Sequence, residues 1–198
     1  MSVIPKESVK YKKEYVLKVN NRVVTLLNPG KFEHFHEGQE PIISWKWINL
    51  PVKAEGKSLN KLVIQNMTDA EIDVNMLVKY KVEDSSTNPL VYYSPSREAL
   101  ISYDGNSYSL FGGTGNILEA MYYSTVKVDV NEWSDGTPLN FQPLTKNSNG
   151  WGLEFLMKLG ENASSFIYEW EFDSNKLQEI EDLHTQYQGL LGKGSFSY

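Results

Sequence analysis

The sequence contains no cysteine, and this absence removes several classes of site. Without thiols the chain forms no disulfide, no thiolate zinc site, no iron–sulfur cluster and no cysteine nucleophile. We therefore expect no cofactor. A chain without cysteine also suits a reducing compartment, and residues 1–6 lack the apolar segment of a signal peptide. The expected location is the cytoplasm.

Histidine and long apolar runs are also scarce. The chain has only 3 histidines, and no apolar run approaches the roughly 18 residues that a membrane-spanning helix needs. The formal net charge of -6 disfavours nucleic acid and anionic membranes, although four lysines cluster between Lys6 and Lys13. There is no Gly-x-Ser-x-Gly motif, and so few histidines give little support for a serine triad. We expect no membrane or nucleic-acid partner, and binding rather than catalysis.

Aromatic residues are plentiful: 5 Trp, 12 Tyr and 8 Phe. Aromatic residues favour strands. The clearest strand pattern in the sequence runs from Ile72 to Val82. Apolar side chains recur there at every second position, with Leu77 as the one apolar residue on the polar face. Such a strand is half-buried and typical of an antiparallel sheet. We predict an all-β, mostly antiparallel β-sandwich of about eight to ten strands over residues 1–173.

Three hairpins are predicted from turn residues between β-rich runs. Their turns are Asn20-Asn21, Asp104-Gly105-Asn106 and Gly160 to Ala163. The residues between the second and third hairpins are harder to interpret. We predict a flexible loop at 112–116, a helical turn at 117–123, a strand at 125–130 and a long loop at 131–152.

The C-terminal residues change to helical spacing. Apolar residues recur from Leu177 to Leu190 at intervals of three and four. We predict one amphipathic helix over about 174–190, followed by a flexible tail. Residues 174–198 are expected to pack on the same domain. The alternative is that the helix docks on a second copy or another protein.

These features lead to a first functional hypothesis and an alternative. The first is a non-enzymatic interaction or assembly module that associates with itself or with a protein partner. The alternative is a carbohydrate-binding module, in which exposed rings stack on sugars and polar side chains bond the hydroxyls. The candidate residues are Trp133, Trp151, Asp135, Asn149, Tyr103 and Tyr108. Both tryptophans could equally be buried anchors of the 131–152 loop.

A further alternative rests on His34, His36 and Glu40. On a strand the two histidines project to one face, where they could share a metal ion. This spacing is similar to part of the first metal motif of the cupins, which are β-barrel proteins. The resemblance implies a metal-dependent enzyme, but no later strand offers the last histidine of that family. The other interpretation is a pair of solvated histidines in a polar loop.

Overall fold

The computed structural model describes residues 10–28, 34–52, 55–83 and 88–192. These residues form two antiparallel β-sheets packed face to face, with a helix on the outer face of each sheet. The elements are β1 (Tyr11–Val19), β2 (Arg22–Leu27), β3 (Phe35–Glu40), β4 (Ile43–Leu50), β5 (Lys57–Asn66), β6 (Ile72–Val82), β7 (Leu90–Ser94), β8 (Ala99–Tyr103), β9 (Tyr108–Gly115), β10 (Leu118–Ser124), α1 (Val130–Ser134), β11 (Leu144–Thr145), β12 (Gly150–Leu159), β13 (Ser164–Ser174) and α2 (Leu177–Leu191). The predicted all-β sandwich with one C-terminal helix is confirmed, with thirteen strands rather than eight to ten.

The smaller sheet has five strands in the order β10-β12-β6-β1-β2. Its β1–β2 hairpin turns at Asn20 and Asn21, whose φ angles of 46° and 62° are both positive, as a two-residue hairpin turn requires. The first predicted hairpin is therefore confirmed. The alternation predicted for β6 also holds, because Val74, Met76 and Val78 face the interior.

The larger sheet has eight strands in the order β11-β7-β8-β9-β13-β5-β4-β3. Between the sheets lies one apolar core that includes the buried rings of Trp47, Trp151, Tyr80 and Phe155. The 131–152 segment supplies Trp151 to this core because β12 already begins at Gly150. The second predicted hairpin is confirmed as β8–β9. The third is wrong, because β12 belongs to the smaller sheet and β13 to the larger one, so the turn from Gly160 to Ala163 connects the two sheets and its flanking strands do not pair.

Helix α2 covers the outer face of the larger sheet. Its apolar stripe packs on β9 and β13 and includes the buried residue Ile180. The opposite surface of β13 faces the smaller sheet, where Ile167 joins the main core. Strand β13 is therefore buried on both faces, between α2 and the smaller sheet.

Four predictions for the middle of the chain are wrong. Residues 112–116 are not a flexible loop, because Gly112 to Gly115 belong to β9. The expected helical turn at 117–123 is strand β10, which pairs with β12. Residues 125–129 are not in a strand, and α1 begins at Val130. The loop expected at 131–152 contains most of α1, all of β11 and the start of β12.

Close packing explains why β9 is rich in glycine. A Cβ atom on Gly112 would lie 2.8 Å from Cε1 of His184, and one on Gly113 would lie 2.5 Å from the carbonyl oxygen of Tyr168. Glycine therefore lets α2 and β13 approach β9 closely. No helix in the described part of the chain is long and apolar enough to cross a membrane.

Candidate functional site

The site begins with Trp133 on the short helix α1. Asp129 caps this helix: its Oδ1 accepts hydrogen bonds from the backbone N–H of Asn131 at 2.8 Å and of Glu132 at 3.4 Å. The cap fixes the first turn and turns the indole of Trp133 inward onto Val16 and Leu77. Trp133 is only 2% exposed. The indole therefore covers part of the outer face of the smaller sheet.

Glu154 on β12 lies beside this indole. Its Oε1 accepts one hydrogen bond from Nε1 of Trp133 at 2.9 Å and another from Nδ2 of Asn75 at 2.8 Å. Glu154 is 6% exposed. Its second oxygen, Oε2, has no hydrogen-bond partner among the described residues, yet it is not sealed from solvent. A buried carboxylate therefore keeps one acceptor atom open.

Lys18 on β1 approaches the same tryptophan from another side. Its Nζ donates to the carbonyl oxygen of Trp133 at 3.1 Å and lies 4.1 Å from the centre of the indole ring. Lys18 is 4% exposed, which is rare for a lysine. Since an ammonium group has three N–H donors, one hydrogen bond leaves donor capacity for a ligand.

These groups line a pocket of about 280 Å³ on the outer face of the smaller sheet, which we call the α1 pocket. Its lining residues are Lys18, Asn21, Asn75, Tyr122, Trp133, Gly136, Thr137, Pro138, Leu139, Glu154 and Leu156. Tyr122 is the cross-strand neighbour of Glu154 and is 49% exposed. The pocket thus combines a buried cation, a buried anion, an accessible ring and an apolar wall.

The residues predicted to bind carbohydrate do not come together. Trp133 lines the α1 pocket, but Trp151 is fully buried between the sheets, where it stacks on Tyr80. Tyr103 and Tyr108 stack on each other at 4.5 Å, in the β8–β9 hairpin of the other sheet. The burial of Trp133 and Trp151 agrees with their interpretation as anchors. Neither residue presents an exposed ring on which a sugar could stack.

Two polar residues of that predicted set also lie apart from the pocket lining. Asp135 is exposed directly after α1, where its backbone N–H caps the helix through the carbonyl oxygen of Asn131. Asn149 is exposed before β12, and its carbonyl oxygen accepts from the N–H of Val82. Neither side chain is among the groups that line the α1 pocket.

The predicted metal ligands lie on or beside the edge strand β3. His36 and Glu40 belong to that strand and His34 precedes it. Glu40 lies four residues beyond His36, which in a strand is about 13 Å, too far for both to bind one ion. In the part of the chain that the structure describes, no three His, Asp or Glu side chains are grouped to hold a metal.

A fully buried carboxylate lies in the interior of the sandwich. Glu169 on β13 accepts hydrogen bonds from Nζ of Lys13 at 2.8 Å, the hydroxyls of Tyr80 at 2.8 Å and Tyr15 at 2.9 Å, and Nδ2 of Asn60 at 2.9 Å. Burial alone would raise the pKa of Glu169, but Lys13 and these donors hold that pKa below its ordinary value. This saturated network leaves no atom for a ligand and is structural.

A larger polar cleft, of about 620 Å³, opens where β13 ends, and its charged lining residues are Lys10, Glu55, Glu83, Asp104 and Asp173. Asp104 already has local partners, because it accepts from the backbone N–H groups of Asn106 and Ser107, both at 2.8 Å. Carboxylates outnumber the single lysine in this lining, whereas the α1 pocket pairs one carboxylate with one ammonium and an accessible ring, so the α1 pocket is the better candidate site.

Sequence reasoning missed Lys18, Asn75, Tyr122 and Glu154. The alternating pattern assigned Lys18 and Asn75 to faces in water, whereas α1 and the residues after it cover them. One signal was present in the sequence. Leu77, the exception on the polar face of β6, packs directly against Trp133 and marks where that face is covered.

No protein-family model matches the chain, and no curated protein matches it in sequence. Among solved structures, it is similar to a bacterial glucoamylase complexed with acarbose, with a TM-score of 0.55 and 9% identity over 91% of this chain and 29% of that one. It is also similar to a polysaccharide lyase, with a TM-score of 0.51 and 11% identity over 88% of this chain and 27% of that one. The chain spans less than a third of either protein. At such identities the likeness establishes a shared β-sandwich fold.

Proposed function

We propose that this chain is a non-enzymatic carbohydrate-binding module and that the α1 pocket is its binding site. The observation that carries the proposal is that two nearly buried charged side chains, which keep free hydrogen-bonding capacity, lie in one pocket with an accessible ring. Glu154 offers an open acceptor, Lys18 offers spare donors, and Tyr122 offers an exposed aromatic surface. Sugars present hydroxyls that both donate and accept, beside an apolar ring face, and so match all three.

Preorganisation supports this use of the pocket. Trp133 holds the Glu154 carboxylate through its indole N–H and the Lys18 ammonium through its carbonyl oxygen. Because both charged groups are fixed before a ligand arrives, little further ordering is needed on binding. A glucoamylase complexed with acarbose and a polysaccharide lyase are among the proteins with a similar fold, which gives a reason to test sugars first.

The test compares two aromatic substitutions by isothermal titration against a panel of neutral and charged oligosaccharides. Tyr122→Ala removes the accessible ring from the pocket, and we expect it to weaken binding by about tenfold or more. Phe141→Ala is the matched control, because this ring is 55% exposed and lies outside the pocket lining. Failure of the unmodified protein to bind any oligosaccharide would overturn the proposal.

Self-association is a second candidate function, supported by the edge strand β2. It lies at the end of the smaller sheet, and its Val23 and Leu26 are 41% and 58% exposed. An open edge with apolar side chains can pair with a strand of a second copy. Light scattering of the unmodified protein and of a Val23→Lys/Leu26→Lys variant tests this. A monomeric mass for both proteins across concentrations contradicts it.

A further inference from the structure

The charged and apolar side chains that line the α1 pocket favour one class of sugar. We infer that it selects an N-acetylated amino sugar and that the acetamido group binds between Glu154 and Lys18. This inference rests on the proposed function and narrows it to one ligand class.

The first step concerns hydrogen-bond demand. Oε1 of Glu154 accepts from Trp133 and Asn75, so Oε2 is the oxygen that can accept from a ligand. Lys18 has one hydrogen bond, to the carbonyl oxygen of Trp133, and can donate a further one. An acetamido group supplies an N–H donor and a C=O acceptor in one rigid planar unit. It can therefore bond the carboxylate and the ammonium together.

The second step concerns charge. Lys18 and Glu154 are 4% and 6% exposed, so a ligand charge placed near them would be poorly screened. A free amino sugar attracts Glu154 but is repelled by Lys18, and a uronic acid is attracted by Lys18 but repelled by Glu154. A neutral acetamido group avoids both repulsions. The paired charges thus discriminate against charged sugars of either sign.

The third step concerns the apolar wall, which separates acetylated from plain neutral sugars. Pro138, Leu139 and Leu156 line the same pocket as the two charged groups. The methyl of an acetamido group buries apolar surface against them, whereas a hydroxyl in that position would lose its hydrogen bonds to water. A pocket of about 280 Å³ lies just below the usual range of about 300–1,000 Å³, which suits one sugar residue.

The experiment measures the affinity for four oligosaccharides of equal length by isothermal titration. They are oligomers of N-acetylglucosamine, of glucosamine, of glucose and of galacturonate. We expect N-acetylglucosamine oligomers to bind about tenfold or more tightly than each of the others. If glucose oligomers bind equally well and Tyr122→Ala weakens both, the acetamido inference fails and the proposed function stands. If none of the four binds, both fail.

Two variants locate the selectivity. Glu154→Gln replaces the open carboxylate by an amide, and we expect it to weaken N-acetylglucosamine binding by about tenfold. Leu139→Asn leaves Lys18 and Glu154 intact, and should reduce the preference for acetylated over plain sugar several-fold. Thermal unfolding of each variant identifies any loss of folding. A folded Leu139→Asn variant with unchanged preference contradicts the role of the apolar wall.

Discussion

Glu171 provides a prediction that can be worked out in magnitude. Its side chain is 15% exposed, and burial together with Asp173 raises its pKa from 4.5 to about 8. Nζ of Lys13 lies 3.4 Å from Glu171 and opposes this shift, but the same ammonium is already neutralised by Glu169 at 2.8 Å. At neutral pH the folded protein therefore holds a proton on Glu171 that the unfolded chain releases.

The sign follows from that difference in bound protons. The stability contributed by protonated Glu171 is fully present below a pH of about 4.5 and is lost as the pH rises through about 8. Each unit of pKa difference corresponds to about 1.4 kcal/mol, so the whole shift corresponds to roughly 5 kcal/mol. This is a large part of the typical stability of a domain, which is about 5–15 kcal/mol.

The assay is urea unfolding of the unmodified protein and of Glu171→Gln at several pH values from 5 to 9. The amide cannot ionise, so the stability of the variant relative to the unmodified protein should rise by about 1.4 kcal/mol per pH unit up to about pH 8. Glu161→Gln, in an exposed turn, serves as the matched control for the change from carboxylate to amide. A stability difference for Glu171→Gln that stays constant from pH 5 to 9 would refute the reasoning.

Three further predictions concern the interior. Glu169→Gln breaks a buried ion pair and should lower the free energy of unfolding in urea by about 3–5 kcal/mol; a loss below about 1 kcal/mol contradicts this. Gly112→Ala should cost about 1–3 kcal/mol in the same assay, since the new methyl would lie 2.8 Å from the ring of His184. A Cβ atom on Gly189 would have no neighbour within 4 Å, so Gly189→Ala should not lower the free energy of unfolding. Equal losses of stability in both alanine variants would exclude the packing explanation. Burial lowers the pKa of His184, whose Nδ1 accepts from Nε1 of Trp170 at 3.0 Å, so stability should fall as the pH drops from about 6.5 towards that lower pKa. Circular dichroism melts of the Glu171→Gln variant, which lacks the opposite pH dependence of Glu171, should show this fall, and an unchanged melt of that variant between pH 7 and 5 argues against it.

The parts of the fold that the sequence predicted are those determined locally. The Asn20-Asn21 turn and the alternation of β6 depend on neighbouring residues alone, and both were predicted correctly. The failures occur where distant elements decide. Residues 112–115 have the composition of a loop, but they pair with β13 as a strand, and three of them are glycine because neighbouring atoms leave no room for a Cβ. No local pattern contains that information.

The candidate site was only partly predictable for the same reason. The sequence singled out Trp133, which lines the α1 pocket, but left open whether it was exposed. Lys18 and Glu154 come from strands far apart in sequence, and they line one pocket only because β1, β6 and β12 are neighbours in the smaller sheet. The pairing of strands, rather than any motif, creates the α1 pocket.

The position of β13 has a consequence for synthesis. In the larger sheet it lies between β9 and β5, so it joins one half made of β7, β8, β9 and β11 to another made of β3, β4 and β5. A ribosome must translate beyond Ser174 before these halves can hydrogen-bond into one sheet. The nascent chain therefore carries two open sheet edges until late in translation, and the pairing of strands distant in sequence favours slow folding after release.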